Sequence, residues 1–521
     1  MRNHRGCCGA CGRWAVVAAL VLSSASARAI DLNGGAGRWA AGGYAEGYAI
    51  VRGDWSSQRQ RPAGTVGLNL SGDVRPEVRT YLDVRTTFGG PPEHAEGIGV
   101  VNTSDVFQNI SPAVEFEEGY VDILSSYFDL RIGKQKVAWG RLDTFQPTDV
   151  ISPRRFTDPF VMEETDAKIG VPALRASYFP PDSPPTLATQ TNLSLVWVPF
   201  PVTPRFPLED ERWFPPAAAV PSTLTIPAGA LGSGFPKIDI DNDFRTENAS
   251  PLRALNNGAV GVRLSGLSNR ADWSLYYYQG PETAPAFDLH TTVVSPSAQA
   301  RIMDGITPGL GDLTHLSADA TLTPRFGRIR LGGADLAFPV AGFTARAEAA
   351  YGRDRLLPRT TDDLLSPDNI AAVVRPQLDS IIEQLLSGKA VPVDLGDLFV
   401  VRDIFEWGTG VDYPYRGWVP VLQVNQTVVL NNSTNLLIND VDTRLFAAVR
   451  KSFLSERLAT EVVVVQGLER SSTAAVSRFT YALTDNVRIR IGLVVLGGSR
   501  HTLVGQYKRN NEAFVQVRYE R

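Results

Sequence analysis

Along most of the 521-residue chain, apolar and polar positions alternate with a period of two. Val487, Ile489, Ile491 and Leu493 are separated by Arg488, Arg490 and Gly492, and Val515, Val517 and Tyr519 by Gln516 and Arg518. The same pattern sets Val78, Thr80, Leu82 and Val84 against Arg79, Tyr81, Asp83 and Arg85, and Phe128, Leu130 and Ile132 against Asp129, Arg131 and Gly133. It returns at Leu193 to Trp197, at Val260 to Leu264 around Arg263, at Phe343 to Ala349 around Arg346 and Glu348, and at Thr443 to Val449 around Arg444. A period of two is that of a β-strand with two unlike faces. A charge on a lipid-facing position costs about 2–4 kcal/mol at mid-membrane, so the apolar set faces outward and the charged set inward. These runs predict an all-β fold: a transmembrane antiparallel up-and-down β-barrel of about 14–16 strands, with long outer loops and one short loop helix. A soluble β-sandwich also alternates, with its apolar face as the core. The number of successive strands and the export signal described below favour the barrel.

Three stretches break the alternation. Residues 180–250 are rich in Pro and acids (Glu209, Asp210, Glu211, Asp239, Asp241, Asp243) and read as long outer loops; 295–313 are punctuated by Gly and Pro. Residues 368–387 space Ile370, Val373, Val374, Leu378, Ile381, Ile382 and Leu385 as on a helix, with Asp368 as a candidate cap and Pro376 as a kink or stop. Such a helix serves as a lid or plug, or packs on the outer loops. Aromatics near strand ends, Tyr276-Tyr277-Tyr278, Trp197 and Tyr519, suit interfacial girdles or ordinary strand packing.

Residues 1–29 read as an export signal. Arg2, Arg5 and Arg13 precede the apolar run Trp14 to Leu22, and Ala27-Arg28-Ala29 supplies a cleavage site after Ala29. The run is too short to span a bilayer as a helix, which needs roughly 20 residues. The signal holds all three cysteines (Cys7, Cys8, Cys11), so residues 30–521, read as one barrel domain, carry no disulfide or thiolate chemistry. Without its four arginines the remainder has 47 basic and 55 acidic residues, a net charge of −8. That acidity argues against nucleic acid as a partner.

Residues 131–159 read RIGKQKVAWGRLDTFQPTDVISPRRFTDP. Gly133, Lys134, Gln135, Trp139, Gly140, Pro147, Thr148, Asp149, Pro153, Arg154 and Asp158 resemble the motif of a poorly characterised family of porin-like outer-membrane barrels, alginate-export-like in style. Val196-Trp197-Val198-Pro199-Phe200 with Pro204-Arg205-Phe206-Pro207 and Trp213 is similar to a second family segment, and the stretch from Asp485 to Tyr519 to its C-terminal hairpins. The resemblance implies a barrel and a transport role without a substrate. Members typically end on Phe; here Tyr519 is followed by Glu520-Arg521.

Arg141, Asp143, Asp149, Arg154, Arg155 and Asp158 lie in an irregular segment beside a strand. Such backbone persists at membrane depth only where it lines a cavity or is buried in protein. The segment reads as a lumen constriction or as a salt-bridged rim loop. The inward positions are rich in arginine: Arg79, Arg85, Arg131, Arg263, Arg346, Arg444, Arg450, Arg488, Arg490 and Arg518, with Lys134; the inward acids are Asp83, Glu118, Asp122, Asp129, Glu348 and Asp442. They favour anionic solutes if exposed, or stiffen the wall if paired across strands.

Residues 30–521 hold only His94, His290, His315 and His501 and no G-x-S-x-G, so neither a catalytic group, a metal site nor a cofactor is expected. The expected function is a porin-like channel passing small or amphiphilic solutes through a charged, Arg-rich lumen. A binding or adhesion barrel with partner-binding loops, or a barrel hydrolase, is the alternative. Expected partners are outer-membrane lipid, a small-molecule solute, the barrel-assembly machinery at the C-terminal strand, and a second copy of the chain.

Overall fold

The structure is a computed structural model, and it describes residues 38–52, 63–89, 100–102, 113–157, 159–162, 164–181, 190–207, 211–246, 257–268, 270–284, 286–431 and 436–521. The export signal, His94, Asp158, Glu209 and Asp210 lie outside the described residues.

Eighteen strands pair antiparallel, each with its neighbours along the chain. They are Arg38–Arg52, Ala63–Arg75, Val78–Gly89, Ala113–Leu124, Phe128–Gln135, Val171–Tyr178, Gln190–Val198, Ala259–Leu267, Asp272–Pro281, Arg328–Val340, Phe343–Pro358, Phe399–Asp412, Trp418–Val429, Val441–Phe453, Leu458–Gly467, Ser472–Ala482, Val487–Gly498 and Glu512–Glu520. The last pairs with the first, from Tyr44↔Glu520 to Arg52↔Glu512, and the ring closes. Closure removes every sheet edge, which is what lets a sheet sit in lipid. Eighteen strands replace the expected 14–16. The short C-terminal hairpins and the strands flanking the irregular segments each form full barrel pairs. No described helix is long and apolar enough to cross a membrane.

The assigned phase holds. Leu193, Leu195 and Trp197 are each more than 40% exposed on the outer wall, while Ser194 and Val196 between them are buried. Leu422, Ile491, Leu493, Val515 and Val517 continue the apolar belt. The tyrosine triplet splits: Tyr277 points outward, whereas Tyr276 and Tyr278 are buried inside, because neighbours on a strand face opposite ways. Connections at one end of the barrel are short, as at Val340 to Phe343, where Ala341 (φ 48°) and Gly342 (φ 84°) form the two-residue turn that suits strand twist. Exposed aromatics gather at that end: Tyr127, Phe128, Tyr178, Phe343, Tyr415, Trp418 and Phe453. Phe343 stacks on Tyr413 at 4.5 Å, and the Lys451 ammonium sits 4.4 Å from the Trp418 ring centroid. This is an interfacial girdle. Short turns mark the periplasmic side of such barrels and long loops the outer side.

Three long loops build a second, smaller sheet at the outer end, in the order Val391–Val393, Ala286–Val294, His315–Arg325, Ile238–Thr246, Thr223–Ile226. Its central pair, Asp239↔His315 to Thr246↔Leu322, is parallel and joins two loops far apart in sequence. One face, with Asp241, Asp243, Arg245 and Asp319, is exposed; the other buries Ile238, Ile240, Leu316, Ala318, Ala320 and Leu322 beneath helices. The predicted helix is present in two pieces, Pro367–Val374 and Leu378–Leu386, joined by a 3-10 turn Arg375–Gln377 at Pro376. Its cap is Ser366, whose hydroxyl accepts from Asn369 N at 3.3 Å, not Asp368. Pro367 takes the first helical position, where its missing N–H costs nothing, and the cap lies two residues earlier than expected. The helix packs on this outer cap. A further helix, Pro296–Met303, capped by Ser295, occupies the stretch punctuated by Gly and Pro. The all-β reading therefore describes the barrel, and a small α/β cap stands on it.

Candidate functional site: a segment across the lumen

The strand Phe128–Gln135 leads into residues 136–170, which do not run along the rim. Their side chains and backbone reach Glu115, Asp335, Glu348, Gln423, Arg450, Arg478 and Arg518, which lie on seven different strands spread around the ring. Only a path through the interior reaches strands on all sides of a closed barrel.

The motif residues form the anchors. Gly140 has φ +85°, and a Cβ there would lie 2.8 Å from the Glu348 carboxylate. Glu348 is buried, and it accepts from Arg141 N (3.0 Å), Thr148 N (2.8 Å) and Thr148 Oγ1 (2.7 Å). The W-G-R and P-T-D elements thus fold around one wall carboxylate. Asp149 closes the turn, accepting from Trp139 N at 3.1 Å and pairing with Lys168 (2.7 Å) and Arg154 (3.0 Å). Arg141 donates to Asp335 at 2.6 Å, and Asp335 also accepts from the Tyr276 hydroxyl.

A second anchor is ionic. Arg155 is fully buried between Glu115 (2.6 Å) and Glu117 (2.5 Å). Around the same two carboxylates lie Lys134 (3.4 Å), Lys136 (3.3 Å), Arg85 (3.3 Å) and Arg205. The register shift at Asp83/Val84 puts Glu117 and Glu118 on the same side of the wall. Glu115 and Glu117 are absent from the inward residues read off the sequence. The alternation Val114-Glu115-Phe116-Glu117 carries the signal for both, but the bulge that follows breaks the phase.

The third anchor sits across the barrel. Asp143 pairs with Arg346 (2.8 Å) and Arg450 (3.2 Å), while Gln423 and Asn425 hold the backbone of residues 143–145. Arg346 also pairs with Asp412, and Arg450 shares Glu461 with Arg478. Near the outer end Trp213 packs between Phe160 (5.2 Å) and Tyr507 (5.5 Å), and burial pushes the Tyr507 hydroxyl above its ordinary range.

The other sequence-predicted residues are dispersed along the wall. Arg131 is bidentate to Asp122 (2.6 and 2.8 Å), Arg444 pairs with Asp442, and Arg518 pairs with Glu46 (3.3 Å) and Asp166 (3.5 Å). Arg490 donates to Gln516 at 2.9 Å. Arg79 and Arg488 are exposed near the short-turn end, beside Asp73 and Glu520. Asp83 stands opposite Asn69 and Glu118 in register. Most of the arginine wall is therefore paired.

Beside one of these pairs stand two arginines of a different kind. Arg131 faces Arg175 directly across two strands. Among the described residues no carboxylate lies within ion-pairing distance of Arg175, which the sequence reading did not single out. Arg263 donates to the Ser274 hydroxyl at 3.1 Å and lies over the Tyr276 ring, also without a carboxylate. Arg131, Arg175 and Arg263, with Asp122, Asp129, Ser177, Asn192 and Ser194, line a lumen cavity of about 320 Å³ under Trp139. Like charges set opposite one another on a strand pair are unfavourable, and Asp122, bidentate to Arg131, offsets part of that repulsion.

No curated protein matches the chain. Among solved structures it is similar to the outer-membrane protein OpdK of Pseudomonas aeruginosa, at 10% identity, over 92% of this chain and 98% of that one, with a TM-score of 0.43. It is similar to OccAB4 of Acinetobacter baumannii at 9% identity, over 92% and 97% of the two chains, with a TM-score of 0.43. OmpF of Salmonella typhi matches at 9% identity, over 93% and 98%, with a TM-score of 0.37. The barrel assignment rests on the strand pairing given above, not on these likenesses. A family model covers residues 61–471, from the second barrel strand through the lumen segment, the cap and most of the remaining wall: the chain belongs to the family described as protein of unknown function DUF1302.

Proposed function

We propose that the protein is an outer-membrane porin-like channel for small solutes, with residues 136–170 as its constriction and a preference for anions at the Arg131–Arg175–Arg263 cavity. The observation that carries the reading is the lumen segment itself. It spans the interior of the closed wall and is tied to it through Arg141, Asp143 and Arg155, with Asp149 and Arg154 paired inside the segment, so a solute crossing the barrel passes beside it. Rings and clusters of fixed charge at a narrow point are how pores select ions. Most wall arginines are neutralised by carboxylates, so selectivity is assigned to the few that are not, Arg175 and Arg263, rather than to a bare arginine wall. The reading includes insertion through the C-terminal strand and a non-enzymatic role. It keeps the alginate-export-like style only as a charged, polar path, without a cargo.

The test is single-channel recording of the refolded protein in a planar bilayer under a salt gradient. Steady conductance with a reversal potential on the anion side is expected, moving toward zero in Arg175→Ala. A correctly folded, heat-modifiable barrel that never conducts would overturn the channel reading. An unmoved reversal potential in Arg175→Ala would overturn the assignment of selectivity to that cavity.

A further inference from the structure

The outer cap contains an apolar void that its own side chains leave unfilled. The cavity measures about 90 Å³ and lies between the cap sheet and the helix Leu378–Leu386. Ile240, Leu316 and Ala318 form its floor, and Leu378, Ile381 and Ile382 its roof. Among the described residues Asn242 and Thr291 are its only polar lining residues, and the Asn242 amide already donates to Pro221 O. A buried water needs two to four polar partners, so water does not occupy such a space stably, whereas apolar molecules do. Protein cores rarely leave voids larger than a water molecule. Two alanines, Ala318 and Ala320, stand where a larger apolar residue would close this one.

The roof is only partly buried. Leu385 is buried, but Leu378, Ile381 and Ile382 are only half-buried. The 3-10 turn at Pro376 precedes the helix, and Gly388 at φ +75° follows it, so both ends have a local break. The cap stands in water at the outer end of the barrel.

We infer that this cavity is a binding site for the apolar end of a small amphiphile. Its volume exceeds what a single water needs and accommodates a short apolar run. The rest of the molecule, bearing the polar group, stays outside the roof helix. The site is separate from the lumen segment and stands whether or not the barrel conducts.

Photolabelling tests the inference. The full chain is placed in lipid nanodiscs, so that no detergent competes, and exposed to octanoate carrying a diazirine at its terminal carbon. On irradiation, mass spectrometry is expected to find adducts on peptides covering 220–242 and 367–395, displaced by excess unlabelled octanoate. Ala318→Phe fills the floor and is expected to lower cap labelling at least tenfold while lipid-facing adducts on the wall persist. Ile382→Trp fills the void from the half-buried roof and is expected to do the same, which covers the case in which the Ala318 variant fails to fold. Absence of cap adducts in the wild type, or equal labelling in a folded filled variant, overturns the proposal.

Discussion

At the scale of single residues, the lumen segment hangs on a few wall carboxylates. Glu348 is buried and offers its oxygens to four donors of the segment, three of them backbone N–H groups. Hydrogen bonds to a charged group contribute about 1.5–3 kcal/mol each, and donors left buried without a partner cost more. Glu348→Ala should therefore loosen the segment by at least about 2 kcal/mol, a population shift on the order of thirtyfold. Limited proteolysis of the intact barrel should show faster cleavage within 141–150, with wall heat-modifiability unchanged. Arg155 presents a sharper case. Removing one partner of a buried ion cluster costs about 3–5 kcal/mol, because the remaining charges stay desolvated. Arg155→Ala should release residues 150–157 more than Glu348→Ala releases 141–150. Arg155→Lys should recover only part of the loss, since one ammonium does not span both Glu115 and Glu117. Equal protection of both variants and wild type would remove these two anchors from the account.

At the scale of elements, what was legible in the sequence followed from local periodicity. The outward set on Gln190–Val198 and the inward Arg346 on Phe343–Pro358 could be assigned because one slip of register would put charge in lipid. The helix after Ser366 was legible through its 3.6-residue spacing and Pro376. The cap sheet was not: its defining pair, Ile238–Thr246 against His315–Arg325, is parallel and joins residues about eighty positions apart, and no local pattern encodes that partner. Nor was the partner of the W-G-R…P-T-D motif, since Glu348 lies about two hundred residues downstream. Arg175 escaped notice because one arginine among Ala and Ser residues looks ordinary until Arg131 is set opposite it. The helix start gives a prediction on this scale. Ser366→Ala removes the side-chain acceptor at the N-terminus and should cost the cap helix about 1 kcal/mol. Hydrogen exchange at 368–371 should quicken roughly fivefold, with exchange in the barrel strands unchanged. Uniform quickening across the wall would mean that cap and barrel open as one unit.

At the scale of the whole molecule, wall and lumen segment are separable in principle. All eighteen strand pairs close without using residues 141–165, which contribute side chains and backbone to the interior but no barrel strand. A barrel of this strand number encloses an aqueous space wider than its own side chains fill. Deleting 141–165 and joining the ends by a short Gly/Ser link should leave a heat-modifiable barrel and raise single-channel conductance several-fold. The deletion also strips Glu115 and Glu117 of Arg155 and frees Arg346 and Arg450 from Asp143. It removes three arginines and five acids by sequence, a net change of +2 in the charge of the chain, so the reversal potential should move further to the anion side. Conductance and selectivity would then change together, because one segment sets both width and charge. A deletion that folds but conducts like the wild type would place the narrow point elsewhere, with the outer cap as the next element to remove.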